Sequence, residues 1–142
     1  MRIAIINGPN LNLLGTREPA VYGHESFDEF IPKLRKKFSS AQIEYYQTNI
    51  EGELVSLIQH CSRFDGIVLN PAAYTHTSIA IGDAIAAIKV PVVEVHISNI
   101  FAREEFRKHS YVSSVCKGVI SGLSLQGYYL AIEYLIAHFQ QQ

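Results

Sequence analysis

The segment from Gly15 to Gly23 places Arg17 and Tyr22 on one short stretch that begins and ends with glycine. A free tyrosine loses its proton only at about pH 10, so near neutrality it is a poor base. A guanidinium within ~4–6 Å of a phenol favours the phenolate and makes the tyrosine usable as a base. Arginine and tyrosine are also common on surface loops, so the pair by itself leaves a structural interpretation open. The spacing nevertheless indicates general-base chemistry, and the flanking glycines would permit the segment to act as a lid.

A second candidate pair is Glu94 and His96, which lie two residues apart in the apolar run from Val92 to Ile97. Residues i and i+2 of a strand point to the same face, so we expect these two side chains to be neighbours. A carboxylate beside a histidine can fix the tautomer of the ring and favour its protonated form, which suits a general acid. Without the carboxylate, a histidine at a strand end is more often a structural residue.

Short apolar runs alternate with helical patterns along the chain, which is typical of a parallel α/β sheet. We predict one catalytic domain over residues 1–142, with a flavodoxin-like three-layer fold and a five-stranded parallel sheet of order 2-1-3-4-5. The predicted strands are Ile3 to Ile6, Gln42 to Gln47, Gly66 to Leu69, Val92 to Ile97 and Gly118 to Ile120. Four helices are predicted. The first begins at a capping box of Ser26 and Glu29, and the second is marked by the apolar residues Leu54, Leu57, Ile58 and Cys61. The third spans Thr77 to Ile88 and the last about Leu125 to Phe139. Pro32 lies inside the first helical pattern and should cost a hydrogen bond or delay the start of the helix.

Polar side chains follow several of these predicted strands. Asn7 and Asn10 come after the first strand, Asn70 follows the third, and His96 lies near the end of the fourth. Ligands of such sheets bind outside the carboxyl ends of the strands, near the point where the strand order reverses. We therefore expect these residues to meet in one crevice.

The overall composition excludes several classes of protein. Hydrophobic residues make up 48% of the chain and charged residues 18%, and the formal net charge is −1. A near-neutral charge without a basic run does not indicate binding to nucleic acid or to an anionic membrane. The first apolar run is too short for a signal peptide and no run reaches the ~18 residues of a membrane span, so we expect a cytoplasmic protein. Cys61 and Cys116 lack metal-ligand spacing and are expected to be free core thiols.

Four segments, in their order along the chain, resemble those of a known family. With the residues around them, the resemblance covers almost the whole chain. The four segments are NGPNLNLLG from Asn7, NPAAYTHTS from Asn70, EVHISN from Glu94 and AREEFRKHS from Ala102. With the Gly15 to Gly23 segment, they closely resemble the type II 3-dehydroquinate dehydratases. The resemblance implies a lyase that dehydrates 3-dehydroquinate to 3-dehydroshikimate through an enolate, in the shikimate pathway or in quinate catabolism.

The resemblance also implies the catalytic roles. Tyr22 would take a proton from C2 of the substrate, with Arg17 holding the phenolate charged. His96, oriented by Glu94, would protonate the departing C1 hydroxyl. Asn10 would stabilise the enolate oxygen through a bound water, and the tight turn beside it would aim its side chain.

The remaining implied contacts bind the substrate, a cyclic polyol with one carboxylate. Asn70, His76 and Asp83 match hydroxyl-binding positions, and Arg107 should contact a ring hydroxyl. The carboxylate would be received by the Ile97 and Ser98 backbone N–H groups with the Ser98 hydroxyl. Asp83 has a second interpretation as a polar residue in a mostly apolar helix, where burial would require a ligand or a basic partner. The resemblance further implies a homododecamer built as a tetramer of trimers, with no cofactor.

Other functions receive less support from the residues. A flavin or nucleotide module would need a phosphate-binding loop, but the first strand runs into NGPN without a glycine fingerprint. A phosphoacceptor domain would need acidic residues at that strand end. A metal site built from Glu94, His96, His76 and Asp83 is possible by composition, but no compact ligand motif joins the four. Pro71 and Tyr74 depart from the family pattern and leave the shape of the hydroxyl pocket open.

Overall fold

The structure is a computed structural model that describes residues 1–16 and 18–141. Its centre is a five-stranded sheet in which every strand pair is parallel, with the order β2-β1-β3-β4-β5. The strands are β1 (Arg2–Asn7), β2 (Gln42–Gln47), β3 (Gly66–Asn70), β4 (Val92–His96) and β5 (Gly118–Ser121). The predicted fold class and strand order are confirmed. The Arg17 prediction concerns a residue outside the described ones.

Helices cover both faces of the sheet because both faces of its strands are apolar. They are α1 (Pro19–Tyr22), α2 (Phe27–Lys37), α3 (Glu51–His60), α4 (Ile79–Ala86) and α5 (Gln126–Gln140). Ile3 and Ile5 of β1 pack in one core with residues of α2 and α5. Ala4 and Ile6, the alternate residues, belong to a second core with residues of α3 and α4. This strand alternation produces the three layers. Among the described residues, no helix is long and apolar enough to cross a membrane.

The start of α2 follows its sequence signal. The Ser26 side chain accepts from the Glu29 backbone N–H, and the Glu29 side chain accepts from the Ser26 N–H, so the predicted capping box is confirmed. Pro32 lies within the helix, which nevertheless begins directly after Ser26. The expected alternative of a delayed start is therefore wrong, and Pro32 simply lacks the N–H that a regular helix would use.

Several helices and turns differ from the predictions at their ends. The predicted helix from Thr77 to Ile88 is shorter as α4, because the Ser78 side chain caps it by accepting from the Ile81 N–H. The one-turn helix α1 was not predicted inside the Gly15 to Gly23 segment. Short 3-10 turns were missed as well, and two of them, Ala72–His76 and Ser113–Val115, contribute to the site below.

Candidate active site

A cavity lies at the carboxyl ends of β1, β3 and β4, where the strand order reverses. It encloses about 680 Å³ of space counted out to its open mouth, which is room for a small organic molecule. Its polar lining comes from separate segments of the chain and consists of Asn10, Tyr22, Asn70, His76, His96, Ser98, Arg103 and Arg107. The predicted convergence at this edge of the sheet is confirmed for Asn10, Asn70 and His96.

The end of β4 holds a buried carboxylate–histidine pair. Glu94 is fully buried and His96 is 5% exposed. The Nε2 of His96 lies 2.6 Å from Oε1 of Glu94, so the contact expected from their spacing is confirmed. An ionised carboxylate can only accept hydrogen bonds, so Nε2 carries the proton between them. Nδ1 is then the ring nitrogen that can exchange a proton with a molecule in the cavity.

Two hydroxyl groups complete the surroundings of Glu94. Thr75 Oγ1 donates to Oε1 at 2.6 Å, and Ser113 Oγ donates to Oε2 at 2.5 Å. Burial by itself raises the pKa of the Glu94 carboxyl, but the hydrogen bonds and charge of His96, with the two hydroxyl donors, hold that pKa below its usual range. Glu94 is therefore a carboxylate near neutral pH.

In the lining of the same cavity, the phenol of Tyr22 meets a guanidinium. Arg103 donates from Nη1 to Tyr22 Oη at 2.9 Å and to Ser98 Oγ at 3.2 Å. The Arg103 side chain is only 20% exposed, so its charge is partly shielded from solvent. A cation at this distance stabilises a phenolate. Arg103 was not predicted as a site residue, although it lies in the same AREEFRKHS segment as Arg107.

Asn10 lines the cavity in a left-handed conformation, with φ 68° and ψ −3°. Asparagine tolerates this region better than most residues, which explains its place in the tight turn after β1. Its N–H donates to Asn49 Oδ1 at 3.0 Å. Gly8 permits the same turn to pass close to Pro71, because a Cβ there would lie 2.6 Å from the Pro71 carbonyl oxygen.

The buried amide of Asn70 is fixed at both ends. Its Oδ1 accepts from the Ala72 N–H at 3.1 Å, and its Nδ2 donates to Tyr128 Oη at 2.9 Å. Tyr128 in turn donates to Asn7 Oδ1 at 2.8 Å. The first of these bonds decides which end of the amide is oxygen, and one N–H of Nδ2 is left for a ligand.

His76 offers the cavity an acceptor. Its Nδ1 lies 2.7 Å from the His109 carbonyl oxygen, which cannot donate, so Nδ1 carries the proton and Nε2 is an acceptor. Burial lowers the pKa of His76, which favours this neutral form. The ring stacks on His96 with centroids 6.4 Å apart.

The predicted anion-binding residues lie together. Ile97 and Ser98 follow β4 directly, and both line the cavity with Arg107. The Arg107 Nε donates to Glu104 Oε2 at 2.7 Å, which holds the guanidinium in place. Tyr74 is absent from the cavity lining, and its hydroxyl donates instead to the Asn49 carbonyl oxygen at 2.8 Å.

The structure does not bring Asp83 to the cavity. This residue is exposed on α4, while its neighbours Ile81, Gly82, Ala84 and Ile85 are buried. The interpretation of Asp83 as a buried carboxylate in need of a partner is wrong, because its position on the helix turns it to solvent. Within residues 1–16 and 18–141, no group of three or more His, Cys, Asp or Glu side chains could hold a metal ion. Cys61 is a buried free thiol as predicted, whereas Cys116 is free but only partly buried.

The fold and cavity define an acid–base site on a flavodoxin-like sheet, and comparison with known proteins gives the family. Residues 1–136 match the model of the family "Dehydroquinase class II". The 3-dehydroquinate dehydratase of Fusobacterium nucleatum subsp. nucleatum is 48% identical over 147 residues, covering 99% of this chain and 100% of that protein. The catabolic 3-dehydroquinase of Penicillium rubens is 48% identical over 143 residues, covering 99% and 92%.

A solved structure of a relative has the same fold. The type II dehydroquinase of Butyrivibrio crossotus superposes with a TM-score of 0.93 at 45% identity, covering 96% of this chain and 97% of that one. This chain belongs to the class II dehydroquinase family.

Proposed function

We propose that this protein dehydrates 3-dehydroquinate to 3-dehydroshikimate through an enolate intermediate, with the base and the acid in the lining of one cavity. The observation that carries the proposal is the presence of two pairs at one cavity, Tyr22 with Arg103 and His96 with Glu94. The two pairs supply a phenolate that accepts a proton and an imidazolium that donates one.

In this mechanism the Tyr22 phenolate removes a proton from C2, and the electron pair of the C–H bond forms the enolate. Asn10, through a water, stabilises the enolate oxygen. The enolate then collapses to the conjugated ketone, the C1–O bond breaks, and His96 gives its proton to the departing hydroxyl, which leaves as water. One proton must pass from Tyr22 back to His96 before the next turnover. Arg17 is retained as a second cation for the phenolate, on the family resemblance alone.

The proposed substrate contacts are made by polar groups of the cavity that have no acid–base role in the mechanism. Asn70 has one free N–H for a hydroxyl oxygen, and the neutral His76 has an acceptor for a hydroxyl proton. Arg107 supplies a fixed cation, which we assign to a ring hydroxyl. The substrate carboxylate is assigned to the backbone N–H groups of Ile97 and Ser98 with the Ser98 hydroxyl.

The direct test is the absorbance of the product, because the dehydration creates a conjugated enone. Purified protein mixed with 3-dehydroquinate should produce a steady rise in ultraviolet absorbance, with catalytic turnover. EDTA dialysis and borohydride treatment in the presence of substrate should leave the rate unchanged, since we propose no metal, flavin or Schiff base. The absence of any rise with folded protein would refute the function, and inactivation by either treatment would refute the mechanism.

We further propose a cytoplasmic homododecamer of four trimers, in which each copy is one catalytic domain. In this assembly we assign the exposed Asp83 to the substrate of a neighbouring copy, because the lining of its own cavity does not include it. Sedimentation would measure the assembly. Mixing inactive Asp83→Ala and Tyr22→Phe chains after dissociation should restore activity, because some reassembled cavities would receive intact residues from both. No recovery in correctly sized mixed assemblies would remove Asp83 from neighbouring sites.

A further inference from the structure

Behind Glu94 lies a short chain of hydroxyl groups that does not line the cavity. Thr75 is fully buried at the turn after β3 and lies between Glu94 Oε1 at 2.6 Å and Ser110 Oγ at 2.8 Å. Ser110 Oγ accepts from two backbone N–H groups, those of Val112 at 3.0 Å and Ser113 at 2.9 Å. The hydroxyls therefore connect the backbone of one loop with the carboxylate beneath the acid.

The direction of every hydrogen bond in this series of hydroxyl groups is determined. A hydroxyl has one proton to donate and two lone pairs to accept with. Glu94 is ionised and can only accept, so the Thr75 proton points to Glu94 and the Ser110 proton must point to Thr75. Ser113 Oγ donates its proton to the other oxygen of Glu94 at 2.5 Å. All the dipoles thus point toward the carboxylate, and each bond strengthens the next.

We propose that Thr75 and Ser113 are positioning residues of the acid, which hold Glu94 ionised so that the proton shared by Glu94 and His96 stays on the imidazole. The inference rests on the proposed role of His96 as general acid. With fewer donors, a buried carboxylate competes for that proton, and a neutral imidazole beside a protonated Glu94 is a weaker acid. Neither hydroxyl touches the substrate in this assignment, so the effect should fall on kcat rather than on KM.

The sign of the pH effect follows from the charge of the pair. Losing a donor destabilises every state in which Glu94 is ionised, including the fully deprotonated pair. The pair therefore releases its last proton at higher pH. The alkaline limb of the kcat–pH profile shifts to higher pH, while the plateau value of kcat falls.

Other charged and titratable groups face this pair and must be distinguished from it. These groups are His76, Arg107 and Cys116 around the pair, with Tyr22 and Arg103 elsewhere in the cavity lining. Burial raises the pKa of Cys116 to about 12, and guanidinium groups are not deprotonated in proteins. Burial lowers the pKa of His76, so it is already neutral where the alkaline limb is measured.

The test compares Thr75→Val, Ser113→Ala and Thr75→Ser by the pH profiles of kcat and KM. Thr75→Val should lower the kcat plateau by about 10- to 100-fold, as expected for one lost hydrogen bond to a charged group, and move the alkaline limb upward. Ser113→Ala should do the same, and it provides a second measurement if the valine variant does not fold. Thr75→Ser keeps the hydroxyl and should restore a profile close to wild type.

A matched control exists in the residues that follow β2. Thr48 also donates its hydroxyl to a glutamate, Glu53, but neither residue lines the cavity. Thr48→Val should lower stability without moving the pH profile. If Thr75→Val and Ser113→Ala change only the amount of folded protein and leave both limbs in place, the proposal is wrong.

A measurement independent of turnover separates this inference from the proposed function. Nitrogen NMR of histidine-labelled protein reports which ring nitrogens of His96 carry protons. Thr75→Val should shift the His96 signals toward the neutral ring, even if no dehydration of 3-dehydroquinate were found. Unchanged His96 signals would refute the positioning role, whereas an inactive wild type would refute only the proposed function.

Discussion

The two sides of the cavity are built in different ways. His96 and Glu94 lie on a central strand, almost entirely buried, and each Glu94 oxygen has a hydroxyl donor. Tyr22 ends a four-residue helix between two glycines with positive φ, and it is only partly buried. Burial of a charge is costly without partners, so the acid side is fixed by the core, whereas the base side depends on a loop and on Arg103. Substitutions on the acid side should therefore affect both stability and catalysis, and those on the base side mainly catalysis.

The largest effect is expected from Tyr22→Phe, which removes the base and little contact area. Turnover should fall by roughly 10⁴-fold, the upper end for a general base, while substrate binding and the melting temperature stay close to wild type. Stopped assays with enone detection, calorimetric binding and thermal melts measure the three quantities. Normal turnover would remove Tyr22 from the chemistry, and a large loss of stability would contradict the contrast between the two sides.

Glu94→Gln should show the coupled effect that the acid side predicts. The amide has nearly the same shape as the carboxylate. Its NH₂ group, however, must face a group that donates a hydrogen bond to the carboxylate in the wild type, so two donors would face each other. We expect kcat to fall by about 10²- to 10³-fold, within the range for loss of general acid catalysis, and the free energy of unfolding to fall by about 1–3 kcal/mol. Denaturant titration and steady-state kinetics on the same preparation check both. A variant that loses activity with unchanged stability would show that the hydroxyl network tolerates the amide.

Arg103→Met should produce a smaller loss that is confined to catalysis. The substitution keeps an apolar stem and removes the cation that contacts Tyr22 Oη, so a fall in kcat of about 10- to 100-fold is expected. Arg103→Lys should recover only part of the activity, because one ammonium lacks the planar fork that contacts Tyr22 and Ser98 together. Ser98→Ala tests the second contact. Full activity in Arg103→Met would leave stabilisation of the phenolate to other groups.

The smallest expected effect is on stability in acid. The folded pKa of Glu94 lies below its ordinary value of 4.5, whereas in the unfolded chain it is close to that value. Between these two values the unfolded state binds the proton first, so the stabilisation is present above about pH 4.5 and is lost as the pH falls through the folded pKa. Denaturant titrations from pH 6 to 3 should show a steeper loss for wild type than for Glu94→Gln. Parallel curves would show that Glu94 contributes little to the acid dependence.

The sequence by itself determined what depends on local spacing. Alternating apolar strands and helices indicated a five-stranded parallel sheet, whose order followed from the flavodoxin-like arrangement, and the strand period brought Glu94 beside His96. The capping box of α2 was readable because its two residues are only three apart. Polar residues at strand ends converge in any parallel sheet, so the location of the cavity was predictable as well.

Only the tertiary structure decided the contacts between distant parts of the chain. Thr75 and Ser113 are each 19 residues from Glu94, Tyr128 is 58 from Asn70, and Arg103 is 81 from Tyr22. No periodicity relates such residues, because the paths of the connecting turns determine which side chains meet. The exposure of Asp83 was missed for a related reason. The sequence of a short apolar helix does not reveal which of its faces the rest of the chain covers.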